Sequence, residues 1–329
     1  MSLNVIKLLQ TLIDIPSTTG SEKAVGEYVE KLLGEEGFIL KKIPVNSDTF
    51  CLYATTGKPR IVLQAHLDVV PPHIPPSESP THIFGRGACD TKASVASMII
   101  AGIEARKKGV TDFGLLFTVD EEKNFAGAQA CIADHSLNLP FMIVGEPTQL
   151  QPVCNHYGLL VITIITHGVS AHSSEPQQGK NAIDQLTNIL EHIVRTYSHH
   201  PETLSTVVFI KGGTADNIIP DKAEATISMR IAPHDVTDHI KEYKRLLINK
   251  AELKVNLSLH PVSSSVPPSL SFLGKGKTVK YCTELSFFQK GIILGPGDIS
   301  FAHSDKEQIE KTELHQAVEL YKKILITYV

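Results

Sequence analysis

Residues 60–70 read RIVLQAHLDVV, and Pro71 and Pro72 follow. Ile61, Val62, Leu63, Leu67, Val69 and Val70 make an apolar run too dense for a half-exposed strand. The stretch reads as a strand buried on both faces, as in a parallel sheet covered by helices. Within it stand His66 and Asp68. Residues two apart on a strand point the same way. An Asp beside a His can fix its tautomer and strengthen it as a ligand or base. A hydrogen-bonded core pair at a strand end is the plainer alternative, and this stretch alone does not choose between them.

The surrounding pattern supports a sheet of this kind. Residues 3–14 and 20–33 have apolar positions spaced for one helix face. Strands are expected at FILKKIPV (38–45) and TFCLYAT (49–55). After a Pro-rich loop, KASVASMIIAGIEARKK (92–108) reads as a helix, FGLLFTVD (113–120) as a strand, AGAQACIADH (126–135) as a helix and FMIVGEPT (141–148) as a strand. Alternating strands and helices predict an α/β fold with a mixed, largely parallel sheet flanked by helices. From residue 157 the order becomes β-α-β-β-α-β, that of a ferredoxin-like α+β unit. SSSVPPS (263–269) reads as the return linker, and a last helix is expected around 307–327. The predicted organisation is therefore a first domain of 1–156 plus 263–329, with residues 157–262 inserted.

Composition excludes several classes. The 329 residues carry a formal net charge of −4, and no basic cluster is interleaved with aromatics, so a nucleic-acid partner is not expected. No apolar run approaches the ~18 residues of a membrane span. The N-terminal stretch is interrupted by Lys7 and Asp14 and reads as an amphipathic helix rather than a signal peptide. Five scattered cysteines with no CxxC pair favour free thiols in a reducing compartment, and a cytoplasmic protein is expected.

Binding groups collect at the carboxyl ends of strands in such sheets. His66, Asp68, Asp90, Glu121, Glu122, Glu146 and His303 belong to that end by this reading. Unpaired carboxylates converging in one cleft repel one another, and cations remove the conflict. Two histidines with several carboxylates and no cysteine suit zinc, cobalt or manganese in a catalytic rather than a structural site. A carboxylate left over beside the metal can serve as general base toward water.

At this point the residues carry a resemblance. AHLDVVP (65–71), GRGACDTKAS (85–94), TVDEEKNFAGA (118–128) and VGEPT (144–148) resemble the ordered motifs of the M20 metallopeptidase family. GVSAHSSEPQQGKNAI (168–183), GGTADNIIPDKAEATISMRI (212–231) and LGPGDISFAH (294–303) continue the match over nearly the whole chain. The last motif most resembles the acetylornithine deacetylase branch. The resemblance implies a zinc-peptidase-like catalytic domain and an inserted domain that serves as lid and dimerisation module. It implies two divalent metal ions, zinc with cobalt or manganese as substitutes. His66 and Glu146 would hold one, Glu122 and His303 the other, and Asp90 would bridge them; Asp68 would orient His66 and Glu121 would be the base. His172 would stabilise the oxyanion in a neighbouring subunit of a homodimer, and Asn217, Arg230, Gly295 and Gly297 would contact substrate. It also implies a cis peptide after Asp90.

The implied reaction is hydrolysis of the N-acyl amide of a small N-acylated amino acid, N-acetylornithine foremost, as in arginine biosynthesis. A dipeptidase or succinyl-diaminopimelate desuccinylase on the same scaffold is the alternative. An inactive metal-binding or dimeric binding protein is the reading from another class, and loss of any ligand would have favoured it. The sequence departs from the family at Ala93, where Gly is usual, and in a short loop between Pro71 and Phe84 that lacks the usual Trp.

Overall fold

The computed structural model describes residues 4–198, 200, 202–235, 237–288 and 290–328. Leu3, which the sequence reading placed in the first helix, lies outside them. The chain divides into two compact units: one runs to Asn155 and resumes at Ser264–Thr278 and from Thr283 onward, the other is His156–Ser263 with Val279–Cys282. The sequence reading gave His156, Ser263 and Val279–Cys282 to the first. They group with the second, where Tyr157 N donates to Val279 O at 3.1 Å.

The first unit opens with α1 (Val5–Asp14) and α2 (Lys23–Glu35). Asn4 starts α1, its side-chain oxygen accepting from Ile6 N and Lys7 N, and Val5, Leu8, Leu9, Leu12 and Ile13 form its buried stripe. Then come β1 (Ile39–Pro44), β2 (Phe50–Thr56), β3 (Ile61–His66), the short β4 (Ser77–Glu78) and β5 (His82–Phe84), α3 (Lys92–Lys107), β6 (Phe113–Thr118), α4 (Ala126–Ala133), β7 (Met142–Val144) and β8 (Val153–His156). All six residues of β3 and of β6 are buried. Helix α3 is buried on nearly every side, as its unbroken run of small and apolar residues requires. Lys92 at its start is buried too, and its Nζ donates to Leu12 O at 2.7 Å and Ile15 O at 3.1 Å, which caps the end of α1.

The second unit holds β9 (Gly158–His167), α5 (Ala182–Tyr197), β10 (Thr203–Gly212), β11 (Lys222–Ile231), α6 (His239–Leu247) and β12 (Glu252–Leu259), followed by the two-residue β13 (Val262–Ser263). Its sheet has the order β10-β11-β9-β12, antiparallel throughout, the ferredoxin-like arrangement expected. Alternate residues of β9 and β11 are buried against α5 and α6.

The chain ends with β14 (Lys277–Val279), α7 (Leu285–Phe288), β15 (Gly291–Ile293), β16 (Gln308–Glu310) and α8 (Lys311–Tyr328). The main sheet of the first unit runs β1-β2-β6-β3-β7-β15-β8. Strand β3 is parallel to β6 and β7, and β15 is parallel to β7, while β1 and β2 are antiparallel, so the sheet is mixed and largely parallel at its centre. Two expectations fail in detail. The strand at 60–70 ends at His66, because the chain turns there and Val69 bridges to Thr18 instead. The last helix starts at Lys311, because Gln308–Glu310 pairs with β5 in a small sheet absent from the sequence reading. Among the described residues no helix is long and apolar enough to cross a membrane.

His156 carries a pH effect. It is fully buried; Nδ1 lies 2.9 Å from Tyr157 O, and among the described residues Nε2 has no partner. Burial pushes its pKa down from 6.5 to about 4. Below pH 6.5 the unfolded chain takes up a proton that the folded chain refuses, so stability falls as the pH drops toward 4. His156→Leu should remove this contribution. Urea unfolding should show the variant gaining about 2–3 kcal/mol on the wild type between pH 7.5 and 4.5. Parallel stability profiles would contradict the assignment.

Candidate metal centre

Three parallel strands present the site at their carboxyl ends. His66 is the last residue of β3; Glu121 and Glu122 follow β6, and Glu146 follows β7. Asp90 stands two residues before α3, whose amino terminus favours an anion. His303 comes from the loop after β15 and has a positive φ of 61°. The Asp90–Thr91 peptide is cis, as the resemblance implied.

The distances make one cluster. His66 Nε2 lies 3.2 Å from Asp90 Oδ1, 3.9 Å from Glu146 Oε1 and 4.0 Å from Glu121 Oε2. His303 Nε2 lies 3.3 Å from the other oxygen, Asp90 Oδ2, and 3.0 Å from Glu122 Oε1. Donor atoms of His66, Asp90 and Glu122 fall within 4.8 Å of one another, a spacing that one metal ion can span. The side chain of His303 is 52 % exposed, whereas that of His66 is 1 % exposed and those of Asp90, Glu122 and Glu146 are 8 %.

The electrostatics identify a site built for positive charge. Burial raises Glu121 and Glu146 well above the usual carboxylate range, against the pull of His66. Burial also raises Glu122, although a hydrogen bond with His303 opposes it. At Asp90 burial is outweighed by hydrogen bonds from His303 and His66, which hold its carboxyl well below the usual range. His303 in turn is raised to about 10 by Asp90 and Glu122. Among the described residues, no Lys or Arg pairs with these four carboxylates. The donor set of imidazoles and carboxylates without thiolates fits a hydrolytic divalent cation.

Asp68 serves the site differently from the expectation. His66 Nδ1 lies 2.9 Å from the Asp68 backbone oxygen but 3.6 Å from its carboxylate. The main chain therefore sets the imidazole tautomer. The buried carboxylate instead accepts from Glu121 N and Glu122 N, both at 3.1 Å, and from Thr19 Oγ1 at 2.9 Å. It holds the backbone of the paired glutamates.

The two glycines back the ligand loops. A Cβ on Gly295 would stand 2.5 Å from Glu146 O, and one on Gly297 2.7 Å from the Cβ of Cys89, the neighbour of Asp90; Gly297 also has φ of 99°. In the second unit, Ser173 N donates to Asn217 O at 2.9 Å, and His172 bridges to Ile218, so the loops bearing His172 and Asn217 are brought together. Arg230 is not. It lies near the far end of β11 from Asn217, a strand distance of roughly 25 Å.

Sequence reasoning missed Glu284. It is fully buried, and burial raises its pKa to about 7. One oxygen accepts from Thr118 Oγ1 at 2.6 Å and from Gln64 Nε2; the other has no partner among the described residues. Thr118 is the register partner of His66. An acid immediately before the short apolar run Leu285–Phe288 was the available signal.

The match to known proteins agrees with the geometry. The model of peptidase family M20/M25/M40 matches residues 62–327. The chain belongs to that family. A probable carboxypeptidase of Ajellomyces capsulatus is 32% identical over 98% of this chain and 85% of its own length. One of Aspergillus flavus is 32% identical over 96% and 88%. Among solved structures, a tripeptidase of Staphylococcus aureus superposes with a TM-score of 0.84 at 20% identity, covering all of both chains. An M20 metallo-carboxypeptidase of Sulfolobus solfataricus gives 0.79 at 16%, covering 99% of each. A dinuclear metal-binding M20 peptidase of Bacillus subtilis gives 0.74 at 16%, covering 98% of this chain and 96% of that one. These likenesses establish the fold. This M20 chain is a hydrolase-family member with a candidate metal centre.

Proposed function

We propose that this chain is a two-cation amidohydrolase. It cleaves an amide whose nitrogen belongs to an amino acid with a free carboxylate. One observation carries the reading: the two oxygens of Asp90 face different imidazoles, Oδ1 toward His66 and Oδ2 toward His303. Of two ions at this centre, His66 and Glu146 would hold one and His303 and Glu122 the other, with Asp90 available to both. Zinc is the proposed metal, and cobalt or manganese suits the same donors. Bound cations would polarise the amide carbonyl and make water acidic enough to attack near neutral pH. Glu121, buried and 4.0 Å from His66 with no hydrogen bond between them, would take the proton from the attacking water and return it to the leaving amine.

Within this class the first reading is an N-acyl amino acid, N-acetylornithine foremost, supported by the LGPGDISFAH motif. A second, C-terminal cleavage of short peptides, is favoured by the names of the curated relatives. Both substrates share the amide beside a terminal carboxylate, which Arg230 would grip with its forked donors. The protein is proposed to act as a homodimer in the cytoplasm. Strand β10 supports this, since it is a sheet edge with Val208, Phe209 and Ile210 exposed. His172 would then stabilise the oxyanion across the dimer.

Purified zinc- and cobalt-loaded protein should be tested on acetylornithine, acetylcitrulline, acetyl-lysine, succinyl-diaminopimelate and dipeptides. Turnover of acetylornithine with kcat/KM in the usual enzyme range of ~10⁴ M⁻¹s⁻¹ or above supports the first reading. Preference for peptides selects the second. Loaded protein that hydrolyses none of these amides refutes the proposal.

A further inference from the structure

Beside the metal centre lies a buried ion pair with no part in the chemistry above. Arg86 is 2 % exposed and Glu307 1 % exposed, with Nη1 and Oε2 2.7 Å apart. Its connections are more informative than its existence. Glu307 Oε1 accepts three backbone N–H groups of one loop: Gly87 at 2.9 Å, Cys89 at 3.2 Å and Asp90 at 3.1 Å. The Glu307 backbone oxygen accepts from Gly85 N at 3.2 Å. Arg86 Nη1 donates also to Ser304 O at 3.1 Å, next to His303, and Nε to Pro72 O at 3.4 Å, on the segment that follows His66 and Asp68.

Three ligand-bearing segments thus meet at one charged joint, which stands where the short β5–β16 ladder ends. A buried pair is weak evidence of stability, because desolvation consumes most of its attraction. It does fix geometry where several acceptors converge on it, since a guanidinium's planar fork holds them at set angles. Removing it frees the Asp90 backbone on one side and the His303 loop on the other.

We propose that Arg86 and Glu307 are positioning residues that set the separation of Asp90 and His303, so that the two side chains can share one cation. The inference rests on the two-cation reading above. It ties the pair most strongly to the outer, more exposed ion, which needs both Asp90 and the His303 loop, whereas the His66–Glu146 side shares only Asp90 with it.

The test is cobalt titration of metal-free protein by calorimetry and by the visible spectrum of bound cobalt, beside thermal unfolding without metal. The variants are Glu307→Gln and the double variant Arg86→Met with Glu307→Gln, which leaves no unpaired buried charge. The wild type should take up two ions. The double variant should melt close to the wild type without metal, yet bind the second ion 10–100-fold more weakly, the usual effect of losing a partner behind the ligands. Its first ion, held also by the buried His66 and Glu146, should weaken by no more than about two- to three-fold. Arg86→Lys, which keeps the charge and loses the fork, should show a several-fold loss in the same step and serves if the double variant does not fold. Wild-type affinity for both ions in a folded variant overturns the proposal alone, as does equal weakening of both. A wild type that binds fewer than two ions overturns the two-cation reading, and the proposal with it.

Discussion

Removing divalent cations with a chelator is expected to abolish amide hydrolysis, with a loss of about 10³-fold or more, since a Lewis-acid centre contributes several kcal/mol to such a transition state. Zinc or cobalt added back should restore it. The acid cluster makes a second readout available. Asp90, Glu121, Glu122 and Glu146 are mostly buried and lack Lys or Arg partners among the described residues. Without cations their repulsion is relieved only by protons and the two imidazoles. An ion at ~1,000 times its Kd contributes about 4 kcal/mol, so stripping it should lower the melting temperature by roughly 5–10 °C at neutral pH. The drop should shrink in mild acid, where protons replace cations on the carboxylates whose pKa burial has raised. Full activity in verified metal-free protein would end the mechanism.

Glu121→Gln is expected to lower kcat by 10²–10⁴-fold, the usual contribution of a general base. Gln keeps the size and loses the proton acceptor. Glu121 makes its shortest charged contact at 4.0 Å from His66, and its backbone is held independently by Asp68. The variant should therefore keep its metal content, and KM should change little. Glu122→Gln provides the contrast. Glu122 Oε1 lies 3.0 Å from His303 Nε2, so this change should empty a metal site and lower occupancy along with rate. Turnover and metal content measured on both variants separate the roles. A Glu121→Gln protein with bound metal and wild-type turnover would move the proton transfer to another group.

Much of the fold was legible because its signals are local. The solid apolar runs of β3 and β6 could hardly be anything but covered strands, and α3 is apolar around its whole circumference. The antiparallel unit showed itself by its element order, β-α-β-β-α-β. What escaped depends on partners far along the chain. Gln308–Glu310 looked helical by continuity with α8, and only β5, more than 200 residues earlier, makes it a strand. The candidate ligands were readable because His, Asp and Glu are out of place in buried strand ends. The Asp68 carboxylate was read as serving its neighbour in sequence, but it serves two amides some fifty residues on. Glu284 and the Arg86–Glu307 pair are buried charges whose partners no periodicity reveals.

The uneven exposure of the histidines bears on how the proposed ions would come and go. His66 is sealed behind the sheet end, while about half of the His303 side chain faces water on a loop of its own. If two ions bind as proposed, the one against His303 would meet solvent directly, and the one against His66 would sit among buried side chains. Loading would then be graded, with the outer ion the easier to lose and its supply a throttle on the reaction.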